Sequence, residues 1–175
     1  MLLEKLKTVF PVSLIDAKKQ LRVDSDFIDD NSFVQDLIKT ATIMAENFIE
    51  KDIAYTKNTY TQYDFSGSSI TINEGNYLSL TSITLATGST ITEDYIETFN
   101  NYFKIYLKSG ISSDPLKVVY YAGYSDGNCP RDIQQAIKMK IVDLYDTERG
   151  DYSFNSVKNN RVFDTILNYH KIIRF

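Results

Sequence analysis

Between positions 33 and 49 the apolar residues keep a helical beat. Phe33, Val34, Leu37, Ile38, Ala41, Met44, Ala45, Phe48 and Ile49 fall at three- and four-residue intervals along one stripe. Gln35, Asp36, Lys39 and Thr42 leave to the other side, and Glu46 and Glu50 add charge to the exposed edge. This spacing predicts a helix over 30–51. A second stripe, Ile133, Ala136, Ile137, Ile141, Leu144 and Tyr145, predicts a helix over 130–148. Pro130 sits where its missing N–H does no harm, and Gly150 is a natural stop. A shorter helix over 14–21 is expected from Leu14, Ala17, Lys18 and Leu21, with Ser13 and Asp16 placed like a capping box.

From Thr56 to Tyr124 the beat changes. Thr, Ser, Tyr and Ile dominate, and the helical stripe disappears. Strands are expected within 57–122, near Thr59–Phe65, Ser69–Ile72, Ser82–Ala86, Asp94–Thr98, Phe103–Leu107 and Leu116–Ala122. Ser66-Gly67, Asn73–Asn76, Thr87-Gly88, Asn100-Asn101 and Ser109–Pro115 supply turn chemistry between them. No helices intervene, so the strands should pair antiparallel. Asp126-Gly127 and Asn128 make a tight loop before the 130–148 helix, with Gly127 free to take a positive φ.

Beyond Gly150 the segment 151–160 is polar, and then Val162, Phe163, Ile166, Leu167, Tyr169 and Ile173 describe a last helix. The expected organisation is one α+β domain over 1–150, with an N-terminal helix pair, a central antiparallel β region and a core helix. A C-terminal linker and helical arm follow over 151–175. That arm must bury its stripe, either on its own domain or on a neighbouring chain. Its six apolar residues are therefore the candidate partner-binding positions.

Composition narrows the chemistry. A net charge of −4 and a pI near 5.0 disfavour a surface built to grip nucleic acid or an anionic membrane. The aromatic strands lack interleaved Arg and Lys, so the thirteen tyrosines read as packing residues, not base-stacking platforms. The N-terminus has charges at Glu4, Lys5 and Lys7 and no signal-peptide core, which points to a soluble protein made in a cytoplasm.

The acidic run Asp24, Asp26, Asp29, Asp30 is not a calcium loop. Ile28, Asp29 and Gln35 stand where an EF-hand beginning at Asp24 needs an oxygen ligand, a Gly and a Glu. It reads instead as a turn whose last acids sit at the positive end of the next helix. His170 and Cys129 are single and lack catalytic neighbours in sequence. The carboxylate pairs Glu93-Asp94, Glu46/Glu50 and Asp143/Asp146 are accounted for by exposed turns and helix faces. No enzyme activity, metal or cofactor is expected.

Two clusters of residues resemble the head–tail connector (adaptor, or head-completion) proteins of long-tailed phages. The first is Val12-Ser13-Leu14, Ala17-Lys18, Leu21-Arg22-Val23-Asp24, Asp29-Asp30, Leu37-Ile38, Ala41 and Glu46. The second is Val118 to Tyr121, Ala122-Gly123-Tyr124, Pro130, Asp132-Ile133, Ala136, Leu144-Tyr145 and Glu148-Arg149. The likeness covers Val12 to about Gly150. It departs from the family at Leu78 to Ile83, where no proline precedes the central strand.

The resemblance implies a structural subunit of the virion neck, assembled in the host cytoplasm. Such subunits form a homo-oligomeric ring, usually twelvefold, beneath the portal protein. The ring extends the channel for genomic DNA without binding it specifically and offers a face to the next neck or tail-completion protein. A DNA-binding or DNA-packaging accessory module is the alternative.

Overall fold

The computed structural model describes residues 1–99, 101–148 and 161–171. The expected stop at Gly150, the linker over 151–160 and the candidate residue Ile173 lie outside the described residues, as does Asn100 of one expected turn. The class is α+β, and the chain forms two compact units. One holds the strands (Met1–Val9 with Ala54–Ser125), and the other holds the helices (Phe10–Ile53 with the described part of Asp126–Ile173).

The β unit has two antiparallel sheets. The larger runs in the order β1 (Leu2–Val9), β2 (Tyr55–Gln62), β8 (Leu116–Ala122), β4 (Tyr77–Thr84) and β5 (Thr90–Ile91). The smaller places β7 (Phe103–Ser113) between β3 (Phe65–Ile72) and β6 (Glu93–Thr98). Period-two alternation sends Tyr60, Ile83, Leu116, Val118 and Tyr120 inward from the large sheet, and Phe65, Ile70, Ile72, Phe103 and Ile105 inward from the small one. They share one core. At its centre Phe103 meets Tyr120 edge-on with centroids 4.9 Å apart and Tyr77 at 4.5 Å.

Several β expectations shift. Leu2–Val9 is a strand, paired from Leu2↔Thr61 to Val9↔Tyr55 with an irregularity near its end. Ser66-Gly67 is not a turn but lies within β3, beside a register shift between Gly67 and Ser69. The reversal comes earlier, where Asp64 takes a left-handed φ of 51° that a short polar side chain tolerates. β7 continues through Ser109 to Ser113, so the expected turn shrinks to Asp114-Pro115, joined by a cis peptide bond. The turns at Asn76 (φ 65°) and Gly127 (φ 75°) do adopt the left-handed backbone.

The helical unit contains α1 (Leu14–Leu21), α2 (Asn31–Ile49), α3 (Arg131–Glu148) and α4 (Arg161–Asn168). Ser13 caps α1, its hydroxyl accepting from the Asp16 amide at 3.1 Å. Pro130 stands just before α3 and its carbonyl accepts the first bond, from the Gln134 amide at 3.0 Å. The two helices pack together, with Val34, Leu37, Ile38, Ala41, Ala45 and Ile49 of α2 buried in the same unit as Ile133, Ala136, Ile137 and Ile141 of α3. Two polar residues assigned to the outer side are inside. Thr42 is fully buried, its hydroxyl donating to the Ile38 carbonyl at 2.7 Å. Glu46 is 6% exposed, and its carboxylate accepts from the Ile53 amide at 2.9 Å, tying the chain that leaves α2 back to the helix.

Candidate interaction surfaces

The candidate arm residues divide between core and surface. On α4, Phe163 and Leu167 are buried within the helical unit, Ile166 is half-buried and Val162 is 49% exposed, while Tyr169, one residue past the helix, is 84% exposed. Phe163 packs edge-on against Phe48 of α2, with centroids 6.3 Å apart, and Lys140 Nζ of α3 lies 5.6 Å from the Phe163 ring centre. Two features tie the end of the helix. His170 Nε2 is 2.6 Å from Asp132 Oδ2, and Lys171 Nζ sits 5.3 Å from the Phe48 ring centre. The helix thus seats one side on its own unit and turns Val162 to solvent, with Tyr169 exposed just beyond its end.

The Asp132 carboxyl is held below its ordinary range, chiefly by its bond to His170 and then by the Ile133 amide, while partial burial pulls the other way. The Cys129 thiol is pushed up to about 12 by burial and by the nearby Asp132 charge. A thiol that stays protonated is a poor nucleophile. Among the described residues no group of three or more His, Cys, Asp or Glu side chains is placed to hold a metal, and no helix is long and apolar enough to cross a membrane.

The acidic loop after α1 is more structured than its composition suggested. Lys18 is 3% exposed, and its ammonium donates to the Phe27 carbonyl at 2.6 Å and the Ser25 carbonyl at 3.1 Å. A buried charge of this kind is tolerable only when its donors are satisfied. Two tight turns follow in succession, Phe27 N–H to the Asp24 carbonyl and Asn31 N–H to the Ile28 carbonyl. The Asp24 carboxylate also accepts from the Asp26 amide at 3.2 Å. Asp30 is the residue before α2, but its carboxylate meets the Tyr145 hydroxyl at 3.5 Å and does not cap the helix. Nothing local in the sequence names the carbonyls that Lys18 meets. Its position on the apolar side of α1, in line with Leu14 and Leu21, was the available hint of its burial.

On the small sheet, Tyr95 stacks on Tyr106 at 4.3 Å, Lys104 lies over the Tyr106 ring, and the Tyr106 hydroxyl donates to Glu97 at 3.0 Å. These are neighbours along β7 and across to β6 that occupy one another, so they make a surface ladder and not a ligand site.

A helical unit joined to a β unit of five and three strands is a fold found in phage-like particles. A chain in the structure titled "Neck of empty GTA particle computed with C6 symmetry" has this fold at a TM-score of 0.80 and 12% identity, over 100% of this chain and 97% of that one. A chain of "Virion of native gene transfer agent (GTA) particle" gives 0.76 at 13% identity with the same coverage. A chain of "Neck of native GTA particle computed with C12 symmetry" gives 0.73 at 13%, again over 100% and 97%. No family model matches the chain, and no curated protein matches it in sequence.

Proposed function

We propose that this protein is a non-catalytic structural subunit of a phage or phage-like head–tail connector, residing in the virion neck and assembled in the host cytoplasm. The observation that carries the reading is the whole-length likeness of fold to chains of particle necks, reached independently of the sequence clusters that resemble connector proteins. In this reading the subunit docks beneath the portal, forms a homo-oligomeric ring (twelvefold in the connector family), extends the DNA channel and receives the tail-side neck protein. The body over 1–150 makes the ring. The arm over 151–175 reaches a neighbour or the portal through the exposed part of the candidate set, Val162 and Tyr169.

The charge of −4 suits a channel past which DNA slides without sticking. A closed ring also needs a heterologous interface, in which two different surfaces of the subunit meet. Size-exclusion chromatography with light scattering, with and without portal protein, tests this directly. A discrete multiple of the 20.1 kDa chain is expected. A permanent monomer that shifts duplex DNA in a salt-sensitive manner would instead establish a DNA-binding module.

A further inference from the structure

The loop after α1 has features of a binding element. It lies at the surface, yet its backbone is fixed by two turns, an aspartate–amide bond and a buried ammonium that holds two of its carbonyls. What it presents is apolar: Phe27 is 44% exposed and Ile28 70%. Around them stand the exposed carboxylates of Asp24, Asp26 and Asp29. Fixing such a loop before association removes an ordering cost that binding would otherwise bear.

A surface of opposite character lies on the β unit. Across β1, β2 and β8 three rows are in register: Leu2–Thr61–Lys117, Glu4–Thr59–Val119 and Leu6–Lys57–Tyr121. Residues directly opposite in antiparallel strands share a face. This face therefore carries Leu2 and Leu6, 49% and 62% exposed, together with the exposed ammonium groups of Lys57 and Lys117 and the single carboxylate of Glu4.

We infer that the Phe27–Ile28 loop of one copy docks on the Leu2/Leu6/Lys57/Lys117 face of the next copy, and that this contact is the heterologous joint of the ring. The inference rests on the ring reading above and adds which surfaces close it. Charge complementarity selects the occupant. Loop against loop sets carboxylates together and face against face sets lysines together, so only the unlike pairing brings apolar centres into contact with opposite charges around them. A twofold contact that sets either patch against its own copy is disfavoured for the same reason, and light scattering separates a ring from a dimer of reciprocal loop–face contacts.

The test uses full-length protein in two charge-reversed forms: a loop variant (Asp26→Lys with Asp29→Lys) and a face variant (Lys57→Glu with Lys117→Glu). All four side chains are exposed, so circular dichroism and melting should match wild type. Each variant alone is expected to lose the ring peak in light scattering. An equimolar mixture is expected to regain it, because alternating copies restore every unlike contact around an even-numbered ring.

Ring formation by the face variant alone, or a mixture that stays monomeric, overturns the pairing. Wild-type rings alongside such results would leave the connector reading standing and remove only this joint. Wild-type protein that never assembles, even on portal, removes both. As a second handle, Ile28→Ser should abolish the ring while leaving the fold unchanged, and an unaffected ring would contradict the apolar contact.

Discussion

The helical unit and the β unit differ in how far each element depends on residues distant in sequence. A helix is written locally, since its apolar stripe and cap lie within one stretch of chain. The strands of the β unit pair across long separations, as β2 does with β8 and β3 with β7. What the helical unit hides are its polar ties, and what the β unit hides are its edges.

The largest effects should come from the two cores. Phe103→Ala removes a fully buried ring from between Tyr77 and Tyr120 and should destabilise the β unit by about 3–5 kcal/mol, read as faster amide exchange in β6, β7 and β8. A loss below about 1 kcal/mol would mean that the two sheets do not share a core there.

Phe163→Ala comes next. It should cost about 3 kcal/mol and remove exchange protection from α4 by vacating the seat against Phe48, while the exposed Tyr169→Ala leaves protection unchanged. Equal effects from both would mean that α4 is not anchored by its inner side.

The hidden polar ties should weigh less. Glu46→Ala leaves the Ile53 amide without its carboxylate, and Lys18→Met strips a donor from the Ser25 and Phe27 carbonyls. Each should cost about 1–3 kcal/mol by chemical denaturation. Lys18→Met should also speed exchange at the Phe27 and Asn31 amides.

The smallest effect is at Asp132, where the bond to His170 is largely exposed. Its carboxyl is depressed in the folded chain, so the stability it adds is complete above the ordinary value of 3.8 and vanishes as pH falls through the lower folded value. Asp132→Asn should therefore lower the melting temperature slightly at neutral pH and make no difference in strong acid. Exposed pairs of this kind contribute under about 1 kcal/mol.

These contrasts also explain what was legible in the sequence. α1 was read to its ends and α2 nearly so, because Ser13 supplies a cap and the α2 stripe is long. The interior strand β8 was read to its ends from its Val and Tyr run. β1 was missed because an edge strand with charges at Glu4, Lys5 and Lys7 has no clean alternation, and nothing local names its partner β2. The break expected at Ser66-Gly67 was a strand irregularity, since the same residue types serve both purposes.

Period alone nominates the six arm residues. Period does not say which side of a short helix its own unit will claim, and here that side holds Phe163 and Leu167. Nor does the acidic run announce a rigid loop, because the residue that fixes it, Lys18, comes from the preceding helix.

The central claim of the connector reading is residence in the neck of an assembled particle. Antibody–gold labelling of purified particles under negative stain answers it most directly. Label confined to the junction of head and tail is the expected result. Particles whose junction carries no label, although the antibody recognises the folded protein in solution, would contradict the account.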